Sequence, residues 1–146
     1  MMYDQLRLEN QLCFRLYSLS RLLTQAYRPL LEPLGLTYPQ YLVMLVLWET
    51  DHQTVGDIGR RLKLDTNTLT PMLQRMEREG LLVRTHGIVD GRKTLVSLTK
   101  KGLQLKEAAK DVPTCMAQNW KGEPWGTEDI KQMMQRLDSL IEGLSE

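Results

Sequence analysis

Apolar side chains recur at steps of three and four along the first thirty residues, a spacing that predicts one face of a long helix. The repeat runs from Leu8 to Leu30, and Pro33 with Gly35 closes the segment. A capping box at Thr37 to Gln40 then opens a second helix that extends to Glu49. This second helix is apolar nearly all round, so we expect it to lie in the centre of a domain.

The middle of the chain has the pattern of a winged helix-turn-helix. Thr54 and Asp65 are good N-caps for two short helices, and Gly80 stops the second of them. Two β-branched runs, Leu81 to Thr85 and Thr94 to Leu98, alternate around a polar loop and predict a β-hairpin, the wing.

Helices are predicted again after the hairpin. Thr99 caps one helix, which Asp111 to Pro113 interrupts, and Thr127-Glu128-Asp129 cap a final amphipathic helix. The expected fold is mainly α with a small β-hairpin wing (α+β). Its DNA-binding region is residues 35–98, and residues 1–34 and 99–146 form a helical dimerisation region.

The composition is that of an ordinary globular chain, with 42% hydrophobic and 25% charged residues. No long apolar run and no signal-peptide pattern is present, so we expect a cytoplasmic protein without a membrane partner. Cys13 and Cys115 lie 102 positions apart, which is neither a disulfide framework nor a metal-binding spacing. No metal and no cofactor are predicted.

Charge is distributed unevenly in a chain whose net charge is only +1. The segment from Thr54 to Lys101 contains ten Lys and Arg residues but only five Asp and Glu residues. A basic middle favours a surface for a polyanion, although a mixed solvated surface has the same composition.

The second helix of a helix-turn-helix lies in the major groove of DNA, and its N-terminal residues reach base edges. Here that helix carries short polar side chains followed by cations, and the wing adds further charges. An ordinary capped, solvated helix remains the alternative. The candidate DNA-binding residues are Asp65, Thr66, Asn67, Thr68, Thr70, Gln74, Arg75 and Arg78 on the helix, and Arg84, Asp90, Arg92 and Lys93 in the wing.

The sequence resembles the MarR family of winged-helix regulators, and within it the organic-hydroperoxide-sensing repressors of the OhrR subfamily. The resemblance runs from about Leu6 to Leu105, and its most specific part is the segment Leu34 to Leu45. Further matches are Leu12-Cys13-Phe14, Ala26 to Leu31, Leu64 to Glu77, and Asp90-Gly91-Arg92-Lys93 leading into Leu98-Thr99.

The resemblance implies a homodimer that binds a pseudo-palindromic double-stranded DNA operator. It implies that Cys13 is the sensing cysteine, that Tyr27 and Tyr38 of the partner subunit hydrogen-bond its thiolate, and that Tyr17 lies nearby. It also implies that Arg92 is the wing-tip arginine, with Asp90 as its partner. His86-Gly87 departs from the usual pattern of relatives, which leaves the number of phosphate contacts of the wing undecided.

The mechanism that we expect is redox release of DNA. An organic hydroperoxide enters a pocket lined by Phe14, Tyr17, Tyr27, Tyr38 and Tyr41, and Cys13 becomes a sulfenic acid. That acid condenses either with Cys115 of the partner subunit or with a low-molecular-weight thiol.

Other interpretations stay open from the residues. Cys13 is a buried core residue in one of them, and a phenolic ligand releases the repressor. A thiol peroxidase is another, disfavoured because no Arg or acid flanks Cys13. A third is an architectural DNA binder with no switch. Within the redox mechanism, Cys115 is either the resolving thiol or an idle surface thiol.

Overall fold

A computed structural model describes residues 1–86, 93–120, 122 and 125–145 of the chain. Two 3₁₀ turns, Asp4–Leu6 and Leu8–Asn10, precede the first helix, and a third, Glu32–Leu34, follows it. The other elements in these ranges are α1 (Leu12–Leu31), α2 (Tyr38–Glu49), β1 (Gln53–Thr54), α3 (Val55–Leu62), α4 (Thr66–Arg78), β2 (Leu82–His86), β3 (Thr94–Leu98), α5 (Lys100–Ala109), α6 (Val112–Gln118) and α7 (Thr127–Leu144).

The strands form a three-stranded antiparallel sheet in the order β1-β3-β2. β2 and β3 pair from Leu82 opposite Leu98 to His86 opposite Thr94, which confirms the predicted wing hairpin. β1 adds Gln53 opposite Val96 on the other side of β3. The sequence did not predict β1, because two residues are too few to show an alternating pattern.

Helix α2 lies in the centre of the core, as its all-round apolar surface predicts. Val43, Met44 and Leu47 are at most 1% exposed. The Gln40 side chain, also buried, accepts a hydrogen bond from the Thr37 backbone N–H at 3.1 Å, while Thr37 Oγ1 accepts one from the Gln40 N–H at 3.3 Å. The predicted capping box is therefore present, and it satisfies the one buried polar side chain among the described residues.

Two predicted helix starts were wrong by a short distance. The apolar repeat includes Leu8, but α1 begins at Leu12 because Gln11 has an extended backbone, with φ −100° and ψ 111°. The last helix was expected to be capped by Thr127-Glu128-Asp129. The structure instead makes Gly126 the cap, and its N–H donates to the Asp129 carboxylate at 3.0 Å.

The chain divides into two compact units, Met1–Met116 and Ala117–Glu146. The first contains the winged helix-turn-helix together with α1 and α5, and the second contains α7. The functional division into residues 35–98 and flanking dimerisation helices stays a prediction.

Among the described residues, no single helix has the length and apolar content to cross a membrane. Residues 12–34 and 38–49, joined at a 66° bend, meet that test together by length and composition alone.

Candidate nucleic-acid interface and thiol site

The turn between α3 and α4 sets the position of the predicted reading helix. Thr54 caps α3 through the Asp57 N–H at 3.1 Å, and Lys63 ends it in the left-handed region with φ 57°. A Cβ on Gly59 would lie 2.7 Å from the Leu64 carbonyl oxygen, so only glycine fits there without a backbone shift. This close approach keeps α3 and α4 in the compact geometry of a helix-turn-helix.

Helix α4 divides cleanly into a buried and an exposed face. Leu69, Leu73 and Met76 are 0% exposed and pack into the core. Six of the predicted DNA contacts lie on the exposed face, and Thr70 is half-buried. The exposed residues are Thr66, Asn67, Thr68, Gln74, Arg75 and Arg78.

Asp65 is engaged with its own helix. Its carboxylate accepts a hydrogen bond from the Thr68 backbone N–H at 2.9 Å. That bond, together with one from the Thr68 side chain, holds the pKa of Asp65 below its ordinary value of 3.8. Asp65 therefore fixes the N-terminal turn of α4, and the exposed side chains of Thr66 and Asn67 remain available to a ligand.

Arg84, predicted as a DNA contact, lies at the base of the wing and pairs with Glu77 on α4. The Glu77 carboxylate accepts the Arg84 backbone N–H at 2.7 Å and its guanidinium Nη2 at 3.3 Å. The backbone bond is the largest cause of the lowered pKa of Glu77. Arg84 Nε is buried with no partner among the described residues. The pair ties β2 to α4, a role that the sequence did not suggest.

The rest of the predicted wing site is only partly described. Lys93 is exposed just before β3. Asp90 and Arg92 lie outside the described residues.

Sequence reasoning also missed an anchor between α2 and the wing. Asp51 Oδ1 accepts the N–H of Leu98 at 2.9 Å and that of His52 at 2.8 Å. His52 Nδ1 in turn lies 2.8 Å from Ser97 Oγ. These partners are 47 and 45 positions apart, so no local sequence pattern indicates the hydrogen bonds and a single sequence could not have revealed them.

Cys13 is exposed in the first turn of α1. Its neighbours Phe14 and Tyr17 are also exposed, at 43% and 68%. No side chain caps this helix end, and the first turn of a helix carries partial positive charge that favours anions. The thiol is therefore accessible in the single chain, and the interpretation of Cys13 as a buried core residue does not fit this chain taken alone.

Three of the predicted pocket tyrosines form one cluster. The ring centre of Tyr27 lies 4.8 Å from that of Tyr38 and 5.9 Å from that of Tyr41. Burial is the main reason that the pKa values of Tyr38 and Tyr41 are raised, and the neighbouring Tyr27 adds to it. These phenols stay neutral near pH 7 and keep a proton to donate.

The thiol and the tyrosine cluster do not meet within one chain. Cys13 and Tyr27 are both on α1, fourteen positions apart. At the usual rise per residue, this places them roughly 21 Å apart along the helix axis. Phe14 and Tyr17 lie at the Cys13 end, so the five predicted pocket residues do not assemble into one pocket in a single chain.

Cys115 is half-buried in α6, and its N–H bonds to the Asp111 carbonyl at 2.9 Å. The same helix is anchored by Val112, which is 6% exposed. Among the described residues, no group of three or more His, Cys, Asp or Glu is placed to hold a metal ion.

Several large apolar side chains remain exposed on each of two helices, one in each unit. On α1 they include Leu12, Leu19 and Leu22, at 58%, 41% and 53%. On α7 no residue is buried, and Ile130, Met134 and Leu140 are 47%, 54% and 42% exposed.

Comparison with known proteins assigns the fold and the family. The profile of transcriptional regulators of the SarA/Rot type matches residues 25–109. The organic hydroperoxide resistance transcriptional regulator of Bacillus subtilis is 48% identical over 142 residues, which cover 97% of this chain and 95% of that protein. The chain is a MarR-family winged-helix transcriptional regulator of the organic hydroperoxide resistance (OhrR) group. The expected family and fold class are thus confirmed.

Solved structures of AbfR, a protein of Staphylococcus epidermidis, resemble this OhrR-group chain over nearly its whole length. Reduced AbfR bound to DNA superposes with a TM-score of 0.83 at 40% identity, covering 100% of both chains. Disulfide-formed AbfR gives a TM-score of 0.66 at 40% identity, covering 94% of this chain and 95% of that one. The fold is therefore more similar to the reduced, DNA-bound form than to the disulfide form.

Proposed function

We propose that this OhrR-group regulator is a homodimeric repressor that releases its DNA operator when an organic hydroperoxide oxidises Cys13. The observation that carries the proposal is the exposed thiol of Cys13 at one end of α1, with the tyrosine cluster at the other end. Two chains that pack with their α1 helices antiparallel would bring each thiol to the phenols of its partner.

Dimerisation is supported by the exposed apolar face of α1. It is unusual for one helix to expose so many large apolar side chains to solvent. Packing against a second copy of the chain would bury this face and remove the free-energy cost of its exposure to water. A two-fold dimer presents two α4 helices. Each reads one half of a pseudo-palindromic operator when they stand about 34 Å apart.

DNA binding is supported by the exposed face of α4 and by the relative that is described as bound to DNA, reduced AbfR. Thr66, Asn67 and Thr68 at the N-terminal turn have the hydroxyl and amide groups that contact base edges. Arg75 and Arg78 further along the same face neutralise phosphates. The wing residues Asp90, Arg92 and Lys93 are the remaining candidate contacts with DNA, and of these only Lys93 lies within the described residues.

The redox step is a displacement on oxygen. The Cys13 thiolate attacks the outer oxygen of the hydroperoxide, the O–O bond breaks, and an alcohol leaves after taking up a proton. The sulfur becomes a sulfenic acid. Donated hydrogen bonds from Tyr27 and Tyr38 of the partner subunit stabilise the thiolate beforehand, with Tyr17, Phe14 and Tyr41 around them.

The sulfenic acid then condenses with a second thiol, which forms a disulfide and expels water. The second thiol is Cys115 of the partner subunit or a low-molecular-weight thiol. A disulfide needs Cα atoms within about 7 Å, so the segments that carry the two sulfurs must approach each other. Any change in the spacing of the two α4 helices then breaks their match to the half-sites.

The test is DNA binding before and after oxidation. A duplex is first selected from a random library by the reduced protein, and its affinity is measured by fluorescence anisotropy with and without one equivalent of cumene hydroperoxide. We expect the wild type to lose affinity on oxidation and Cys13→Ser to keep it.

Two outcomes decide between mechanisms. Release of DNA from oxidised Cys13→Ser would overturn the proposal, and release of that variant by a phenolic ligand would point to a ligand-controlled repressor. The Cys115→Ser variant distinguishes the two candidates for the second thiol. Loss of an intersubunit disulfide on a non-reducing gel identifies Cys115, and an unchanged response to glutathione plus peroxide identifies the small thiol.

A further inference from the structure

The first turn of α5 is bonded to the C-terminal end of the predicted reading helix α4. The Lys101 ammonium donates to the Glu79 carbonyl at 2.9 Å, and the Thr99 hydroxyl donates to the Gly80 carbonyl at 2.6 Å. The Thr99 N–H adds a bond to the Leu81 carbonyl at 3.1 Å. Three consecutive carbonyls directly after α4, those of Glu79, Gly80 and Leu81, therefore accept hydrogen bonds from the start of α5.

Packing at this junction is tight at Gly102. A Cβ on Gly102 would lie 2.1 Å from the Leu81 carbonyl oxygen, which means that α5 touches the chain leaving α4 backbone to backbone. The Lys101 side chain lies over Gly80, with its Cδ 3.9 Å from the position of a Cβ there. Close-packed contacts of this kind transmit a displacement rather than absorb it.

Helix α5 is also bonded to the end of α2. Trp48 Nε1 donates to the Gly102 carbonyl at 2.9 Å, and the Lys106 ammonium donates to the Trp48 carbonyl at 3.1 Å. Downstream, α5 ends at Ala109 and is followed within three residues by α6, which carries Cys115. Thus α5 is the element between the second thiol and the ends of both α2 and α4.

We propose that Lys101 is a positioning residue that makes α4 follow α5 when the segment bearing Cys115 is displaced. Glu79 is the C-cap residue of α4, and the C-terminal end of a helix attracts a cation, so the Lys101 ammonium is favourably placed on the Glu79 carbonyl. This inference rests on the proposed function, since it names the contact through which oxidation reaches the reading helix.

Two roles of Lys101 make different predictions. A lysine that contacts a phosphate changes affinity equally in the reduced and oxidised forms, and its removal lowers the slope of log affinity against log salt by about one. A lysine that positions α4 leaves that slope unchanged. Its removal instead reduces the ratio of oxidised to reduced dissociation constants, because α4 is no longer drawn along with α5.

The experiment compares four full-length proteins: wild type, Lys101→Met, Lys101→Arg and Lys100→Met. Methionine keeps the length of lysine but has no donor, arginine restores a donor for the carbonyl, and Lys100 is the adjacent exposed cation without that bond. For each protein, affinity for the selected duplex is measured at four salt concentrations, reduced and after one equivalent of cumene hydroperoxide. Thermal unfolding verifies that all four are folded.

We expect Lys101→Met to weaken reduced binding by about threefold to tenfold, the range of one hydrogen bond, with the salt slope of the wild type. The ratio of dissociation constants should fall to less than half of the wild-type ratio. Lys101→Arg and Lys100→Met should keep that ratio.

A Lys101→Met protein with the wild-type ratio overturns this inference and leaves the proposed function intact. A salt slope reduced by about one with an unchanged ratio overturns it as well, and makes Lys101 a phosphate contact. A wild type that does not respond to the peroxide overturns the proposed function itself.

Discussion

Helix α4 and the N-terminal half of α1 are both amphipathic, but only α4 buries its apolar face within one chain. Leu69, Leu73 and Met76 of α4 are fully buried, and its polar face is left for a ligand. Leu12 and Leu19 of α1 remain exposed, and Cys13 lies beside them without its expected partners. The difference is that a single chain forms the exposed polar face of α4, whereas Cys13 and the tyrosine cluster do not meet within one chain.

The largest effect is expected from the buried face of α4. Leu73→Ala removes a fully buried side chain, and we expect it to lower the free energy of unfolding by about 2–5 kcal/mol, measured by urea denaturation. Gln74→Ala, on the exposed face of the same helix, is the matched control and should change it by less than about 0.5 kcal/mol. Equal losses in both variants would contradict the division of α4 into two faces.

Substitutions on the exposed apolar face of α1, a stripe that includes Leu12, Leu19 and Leu22, should change the association of two chains rather than the folding of one chain. Leu19→Asp places a charge on that stripe, and we expect the monomer–dimer dissociation constant to rise at least about tenfold in sedimentation equilibrium. Gln25→Asp introduces the same charge at an exposed polar position of α1 and serves as the control. A dimer that tolerates Leu19→Asp as well as Gln25→Asp would place the interface elsewhere.

A smaller effect is expected at the tyrosine cluster. Tyr38→Phe removes one hydroxyl and keeps the ring, so we expect the rate of Cys13 oxidation to fall by about threefold to tenfold because one hydrogen bond to the thiolate is lost. The rate is read by trapping the sulfenic acid with dimedone in a mass spectrometer. If dilution to monomer left the wild-type rate unchanged, the phenols would have no part in the reaction.

The smallest effect is expected at the cap of α4, and it depends on pH. The pKa of Asp65 is lowered in the folded chain, so its contribution to stability is complete above its ordinary value of 3.8. It decreases as the pH falls below that value, because the unfolded chain takes up the proton first. The urea midpoint of the wild type should exceed that of Asp65→Asn at pH 6, and the difference should shrink towards pH 3. A difference that grows on acidification would contradict this assignment.

The features that the sequence predicted best are local. The caps at Thr37, Thr54, Asp65 and Thr99 each bond to a backbone N–H three positions later, so a short stretch of sequence contains the whole interaction. Periodicity likewise predicted the buried and exposed faces of α4. The start of α1 was less accurate, because the apolar repeat continues through a 3₁₀ turn that precedes the helix.

The features that the sequence could not predict depend on tertiary contacts. Arg84 was assigned to DNA by its charge, but its partner Glu77 lies across the junction between α4 and β2. The bond from Lys101 to Glu79 spans 22 positions, and neither residue type indicates it. For the thiol site, the sequence supplied its residues through a family resemblance. Cys13 and the tyrosine cluster do not meet within one chain, so no pattern along the chain could predict their assembly.

The hydrogen bond from Trp48 to Gly102 gives the molecule an intrinsic optical signal. An indole that is half-buried and hydrogen-bonded emits at a different wavelength from one in water, so separation of α2 from α5 would shift the emission of Trp48. Trp120 and Trp125 are more exposed and belong to the other compact unit, so an aqueous quencher reaches them first. Displacement of α5 can therefore be followed in real time without attaching a dye.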